Sequence, residues 1–187
     1  MAKLFSVRPS VTFKGRSFKG LRGWAGKPLH PPLTDIPVAA YFLVALFDLV
    51  SFLMRSDSAT AHDLYAGASW VLLAGFVVSI PTALTGFWDW LKSTAPGTQA
   101  WRTANWHMAV MLTVNAIVLI DLLLRPSGEA VTATGLVTIL SLLAGGLVTF
   151  GAAYGGSLVY DYGFNVETSG DHPAWHESEE DVLPGDH

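Results

Sequence analysis

Residues 64–88 read LYAGASWVLLAGFVVSIPTALTGFW, twenty-five consecutive residues without a charged side chain. As a helix this stretch would rise about 37 Å, more than the roughly 30 Å of hydrocarbon in a bilayer. A helix on a water-soluble domain carries a polar face, and this one has none to offer. The stretch therefore predicts a transmembrane helix. Pro81 predicts a kink in it, with Ser79 and Thr82 placed to satisfy backbone groups that the proline frees.

Three further apolar runs flank it, at 36–54, 106–124 and 130–159. The first carries a single acid, Asp48, and the third carries Asp121, while the fourth is uncharged and long enough to tilt or project beyond the membrane. Thr34-Asp35, Asn105 and Ser127 stand where N-caps of the first, third and fourth helices are expected. Connections of about ten, seventeen and five residues join the runs, short enough to keep neighbours antiparallel. The fold class is thus an all-α integral membrane protein, an antiparallel up-and-down bundle of four transmembrane helices. Its parts are a basic arm over 1–35, a membrane domain over 36–160 and an acidic, solvated tail over 161–187.

Charge supports that division. Only 14% of residues are charged, against about 25% in soluble domains, and most lie before Lys27 or after Tyr160. The arm holds seven cations, all at or before Lys27, and no acid before Asp35. Within it Lys14, Arg16, Lys19, Arg22 and Lys27, with Trp24 among them, are expected to contact anionic lipid headgroups. Lys92 and Arg102 fall on the same side, whereas the opposite side has only Arg55 and Arg125. The positive-inside rule then places both termini in the cytoplasm. The basic arm is explained by lipid and orientation, so nucleic acid is not an expected partner. The chain has no cysteine, which excludes disulfides, thiolate catalysis and cysteine-held iron–sulfur clusters within it.

Folding the chain through a membrane gathers its unusual side chains at one end. His30 and Asp35 enter the first helix there, Asp89 leaves the second between Trp88 and Trp90, His107 begins the third, and Tyr160 ends the fourth. These five are the candidates for a polar or cofactor site. His30 and His107 have the chemistry of axial ligands to a haem b, and both can equally bond backbone groups or lipid phosphate. Asp35 can cap its helix, and Asp89 can pair with Lys27, Lys92 or Arg102. Asn115, with Gly151, Gly155 and Gly156, is expected to pack helices together or to support self-association. Asp48 and Asp121 can both approach Arg125 or Arg55 at the other end. His107 and Asp121 lie about 21 Å apart by helical rise and cannot share a site.

The segments HPPLTDIP (30–37), GFWDW (86–90), His107 with Asn115 and Arg125, and GGSLVYDYG (155–163) give the chain from Lys27 to about Val166 a resemblance to domain-of-unknown-function family 2231 (DUF2231). That resemblance implies a bacterial four-helix protein of the cytoplasmic membrane with no assigned activity. In many members a histidine stands where this chain has Asp35. Some are joined to a Rieske-type iron–sulfur domain, which implies a redox setting.

No phosphate loop, serine-nucleophile elbow or His-Glu-x-x-His motif is present, so no catalytic residue is nominated. Two functions are expected. The first is a non-enzymatic membrane subunit or anchor that associates with other membrane subunits in a complex of possible redox type. The second is a haem- or quinone-associated redox protein using His30, His107 and Tyr160. A small transporter or proton pathway is a third, disfavoured because the spans carry so few ionisable groups.

Overall fold

The computed structural model describes residues 20–21, 28–54, 58–128 and 131–166. The expected lipid-contact residues Lys14, Arg16, Lys19, Arg22, Trp24 and Lys27, and the tail from 167 onward, lie outside the described residues. Among the described residues four helices are formed: α1 (His30–Leu53), α2 (Ala59–Ser93), α3 (Gln99–Leu124) and α4 (Gly135–Tyr160). Each is long and apolar enough to cross a membrane. They pack as a bundle in which α1 lies against α2 and α4, and α3 lies against α4. Contact between α2 and α3 is the thinnest, and the backbones of α1 and α3 face one another diagonally without approaching.

The helix ends differ from those the sequence suggests. α1 begins at His30 rather than Ile36, because Pro31 and Pro32 sit in its first turn, where a missing N–H costs no hydrogen bond. Asp35 is consequently an exposed residue inside the helix and caps nothing. The connection between α2 and α3 is five residues, 94–98, instead of about seventeen. Both helices continue past the apolar runs, and Thr98 caps α3 by accepting the Trp101 N–H. Asn105, freed from a capping role, accepts the Trp90 Nε1–H at 2.9 Å and ties α2 to α3. Thr134, not Ser127, caps α4.

Two prolines shape the interior. Pro37 has no N–H to give the Leu33 carbonyl, and that carbonyl accepts the Thr82 hydroxyl of α2 at 3.2 Å. Around Pro81, Ser79 bonds the Phe76 carbonyl and Thr82 bonds the Val78 carbonyl. These hydroxyls therefore reinforce the carbonyls on either side of Val77, whose own i+4 donor the proline removes. Small residues allow the closest helix approaches. A Cβ on Gly75 would lie 2.7 Å from that of Ala40, and one on Gly145 would lie 2.9 Å from that of Ala45.

The core holds Tyr41 and Val44 of α1, Leu72 of α2, Val114 and Val118 of α3, and Val148 of α4. On α2 the exposed face runs Trp70, Leu73, Val77, Ile80, Leu84 and Trp88, at helical spacing. Such an outward apolar stripe has its natural solvent in lipid.

Three polar contacts cross the bundle between α1 and α3. Arg125 forms a salt bridge with Asp48, bonding both carboxylate oxygens. It also holds Asp121 of its own helix, donates to Ser69 of α2 at 3.2 Å, and lies over the Tyr65 ring. Nearer the middle, the Tyr41 hydroxyl donates to Asn115 Oδ1 at 3.3 Å, while Asn115 donates to the Met111 carbonyl. At the other end His30 meets His107. Asp48 stands eighteen residues after His30, and Arg125 eighteen after His107. Eighteen residues make five turns and about 27 Å, so each helix presents both groups on one face.

Removing one member of a buried ion pair leaves its partner's charge in a low dielectric. Asp48→Asn is therefore expected to cost about 3 kcal/mol of unfolding free energy in bicelles. Asp63→Asn, at an exposed position, should change it by less than about 0.5 kcal/mol. Equal effects would show that the diagonal pair does not hold the bundle.

Candidate functional site

His30 and His107 reach the bundle interior from opposite corners, yet each is seated in the same manner. The His30 Nδ1–H donates to the Thr82 carbonyl of α2 at 2.9 Å. The His107 Nδ1–H donates to the Gly151 carbonyl of α4 at 2.9 Å. One helical turn beyond each accepting carbonyl stands a glycine, Gly86 and Gly155. A Cβ on Gly86 would fall 2.6 Å from His30 Cε1, and one on Gly155 would fall 3.2 Å from His107 Cε1. The glycines thus make the room that the imidazoles fill. Hairpin α1–α2 and hairpin α3–α4 each supply one histidine, one carbonyl and one glycine.

A carbonyl only accepts, so the hydrogen in each ring is carried on Nδ1. In the neutral imidazole this leaves Nε2 with its lone pair free to bind. Neither Nε2 has a hydrogen-bond partner among the described residues. The ring centroids are 6.5 Å apart and the ring planes cross at 83°. A second nitrogen fixed by a backbone carbonyl is also what orients metal-bound histidines and makes them more basic ligands.

The other nominated residues do not all converge on this pair. Asp89 is buried near the end of α2, and its Oδ1 accepts the Leu21 N–H at 3.0 Å. Leu21 in turn accepts the Leu29 N–H, so Asp89 fastens the approach to α1 beside the histidine end. Asp35 is exposed, and Tyr160 is 88% exposed at the end of α4. Gly151 packs against Val110 and Met111 of α3, Gly155 against His107, and a Cβ on Gly156 would meet nothing within 4 Å. The sequence marks Thr82 only as a partner for the backbone freed by Pro81, and Gly86 only as part of the GFWDW segment; their roles beside His30 come from the structure. The Asp48–Arg125–Asp121 cluster occupies the far end of the bundle, separate from the histidines.

A family model described as "Predicted membrane protein (DUF2231)" matches residues 26–168. The chain belongs to the DUF2231 family. It is a multi-pass membrane protein, and the matched region holds all four helices, the histidine pair and the diagonal ion pair. Neither the curated proteins nor the solved structures gave a match to it. In this DUF2231 chain, as in the sequence alone, exposed apolar side chains make lipid the surrounding solvent.

Filling either glycine should unseat the ring beside it. In Gly86→Val the His30 Nδ1–H should lose its bond to Thr82, and in Gly155→Val the His107 Nδ1–H should lose its bond to Gly151. Nitrogen NMR of the labelled imidazoles reads both directly, with Gly67→Val, whose Cβ would meet nothing within 4 Å, as the control. Unchanged ring signals in the first two variants would contradict the seating described.

Proposed function

We propose that this protein is a haem-binding electron-transfer subunit of the bacterial cytoplasmic membrane, with His30 and His107 as the two axial ligands of a single haem b. The observation that carries this is the facing of two imidazoles whose Nδ1 atoms are tied and whose Nε2 atoms have no partner among the described residues. A haem iron would be held by one nitrogen of each ring, which requires the two imidazoles to stand close together. The observed separation of 6.5 Å fits that requirement. Among the described residues no three histidine or carboxylate side chains converge on a point. Two imidazoles alone make a poor site for a bare ion, but they complete the coordination of an iron that already has four macrocycle nitrogens.

The residues divide the work. His30 and His107 would hold the iron, and the carbonyls of Thr82 and Gly151 would fix the rings and strengthen their donor nitrogens. Gly86 and Gly155, one in each hairpin, give the rings their places. When bound, such a group would supply one-electron redox chemistry. Excess cations on the side of Lys92, Arg102 and the basic arm support placing that side, and both termini, in the cytoplasm. Association with other membrane subunits, the arm and tail serving as contacts, completes this reading.

The test is direct. Protein purified in mild detergent from cells able to make haem should show a Soret band at one haem per chain. His30→Ala and His107→Ala should each abolish it, while Tyr160→Phe should leave it intact. A colourless preparation that remains colourless with added haem would overturn the proposal. The two histidines would then act as helix–helix ties alone, which their bonds to Thr82 and Gly151 also support.

A further inference from the structure

The level of the histidine pair within the bilayer follows from the exposed aromatic residues. Trp106 is the immediate neighbour of His107 in the chain and is 63% exposed. Trp88 is exposed two residues beyond Gly86, the residue against which His30 packs. Tyr160 closes α4 five residues, about 1.4 turns, after Gly155. Three helices therefore carry an outward aromatic side chain near the level of the imidazoles. Tryptophan and tyrosine favour the membrane–water interface, where an apolar ring and a polar edge can both be satisfied. Lys92 extends from α2 with its ammonium 5.0 Å from the centre of the Trp88 ring, as expected where a cation meets headgroups.

The opposite boundary is marked as well. Trp70 is 73% exposed and stands eighteen residues before Trp88, on the same face of α2 and about 27 Å away. That is close to the thickness of the hydrocarbon. Arg125 bonds Ser69, the neighbour of Trp70, so the Asp48–Arg125–Asp121 cluster lies near the second boundary. Between the two levels, the diagonal of the bundle offers Tyr41 and Asn115, neither of which carries charge at neutral pH.

We propose that His30 and His107 lie at the membrane boundary marked by Trp88, Trp106 and Tyr160, and that the site exchanges electrons with a water-soluble one-electron carrier on that side only. The inference rests on the haem reading above. The exchange moves one electron between the carrier and the iron. No bond in the protein forms or breaks, and no proton is required. From the Trp70 side an electron would have to cross most of the hydrocarbon, and the described residues hold only one histidine besides His30 and His107, too few for a second pair to relay it.

Two measurements test this together. The first uses haem-loaded protein in vesicles of uniform orientation, reduced and then exposed to external ferricyanide, which does not cross the bilayer. Labelling of Gln99→Cys and Thr60→Cys with an impermeant maleimide establishes which side faces out. With the Gln99 side outward, oxidation should be at least about tenfold faster than with the Thr60 side outward. Equal rates, or the reverse order, would overturn the one-sided exchange. The second needs no haem. Variants retaining only Trp88 or only Trp106 are placed in lipid brominated near the headgroup or near the chain end. Stronger quenching by the headgroup-proximal bromine is expected, and stronger quenching by the chain-end bromine would overturn the level assigned to the site. Absence of a haem band would sink the parent reading and the exchange with it, whereas a normal band with the wrong sidedness would sink this inference alone.

Discussion

Arg125 gripping Asp48 across the bundle fixes how α1 lies against α3, and the rest of the arrangement depends on that register. The two helices do not touch through their backbones, so no ridge-and-groove packing sets their relative height. A charge pair in a low dielectric does so instead, because a slip of one turn would separate the partners by about 5 Å and leave both charges buried. With that end pinned, five turns of regular helix deliver His30 opposite His107 at the other end. Tyr41 and Asn115 close the diagonal between them with a hydrogen bond that adds roughly 0.6 kcal/mol in a membrane protein. Ser51 supplies a further tie near the ion pair, donating to the Ala61 carbonyl and accepting the Ala133 N–H.

The same constraint explains why the polar groups of the interior are so few and why most of them are engaged. Hydrocarbon offers no hydrogen bonds, so each hydroxyl, amide and freed carbonyl within the spans has to find its partner inside the protein. Pro37 releases the Leu33 carbonyl, and Thr82 of the neighbouring helix takes it up. Thr82 then offers its own carbonyl to His30. A proline in α1, a threonine in α2 and a histidine at the head of α1 thus form one connected unit. Among the described residues the Nε2 atoms of His30 and His107 have no hydrogen-bond partner and the two rings face one another, which is why the histidine pair, rather than the ion cluster, is the candidate site.

Much of this fold is legible in the sequence, because a charge-free run of twenty-five residues has few structural alternatives. That His30, Asp89 and His107 gather at one end is legible too, since topology alone brings them there. The helix ends are not. Asp35 looks like a cap, but two prolines can sit in a first turn, so α1 starts earlier and turns Asp35 about 140° away from His30. Asn105 looks like a cap as well, yet its amide serves Trp90 once Thr98 begins the helix. The partners of the histidines are main-chain carbonyls, which no residue type announces. The equal spacing from His30 to Asp48 and from His107 to Arg125 is written in the chain, but it acquires meaning only when α1 and α3 are known to be diagonal partners.

The most direct test of the histidine pair as an iron site is electron paramagnetic resonance of the oxidised, detergent-purified protein, grown with ¹⁵N-labelled histidine. Two nitrogen ligands from opposite hairpins predict low-spin ferric iron coupled to the nitrogens of two equivalent-strength imidazoles, with one of the two couplings lost in His30→Ala and the other in His107→Ala. A high-spin signal, a single histidine coupling, or labelled nitrogens from neither position would contradict the account.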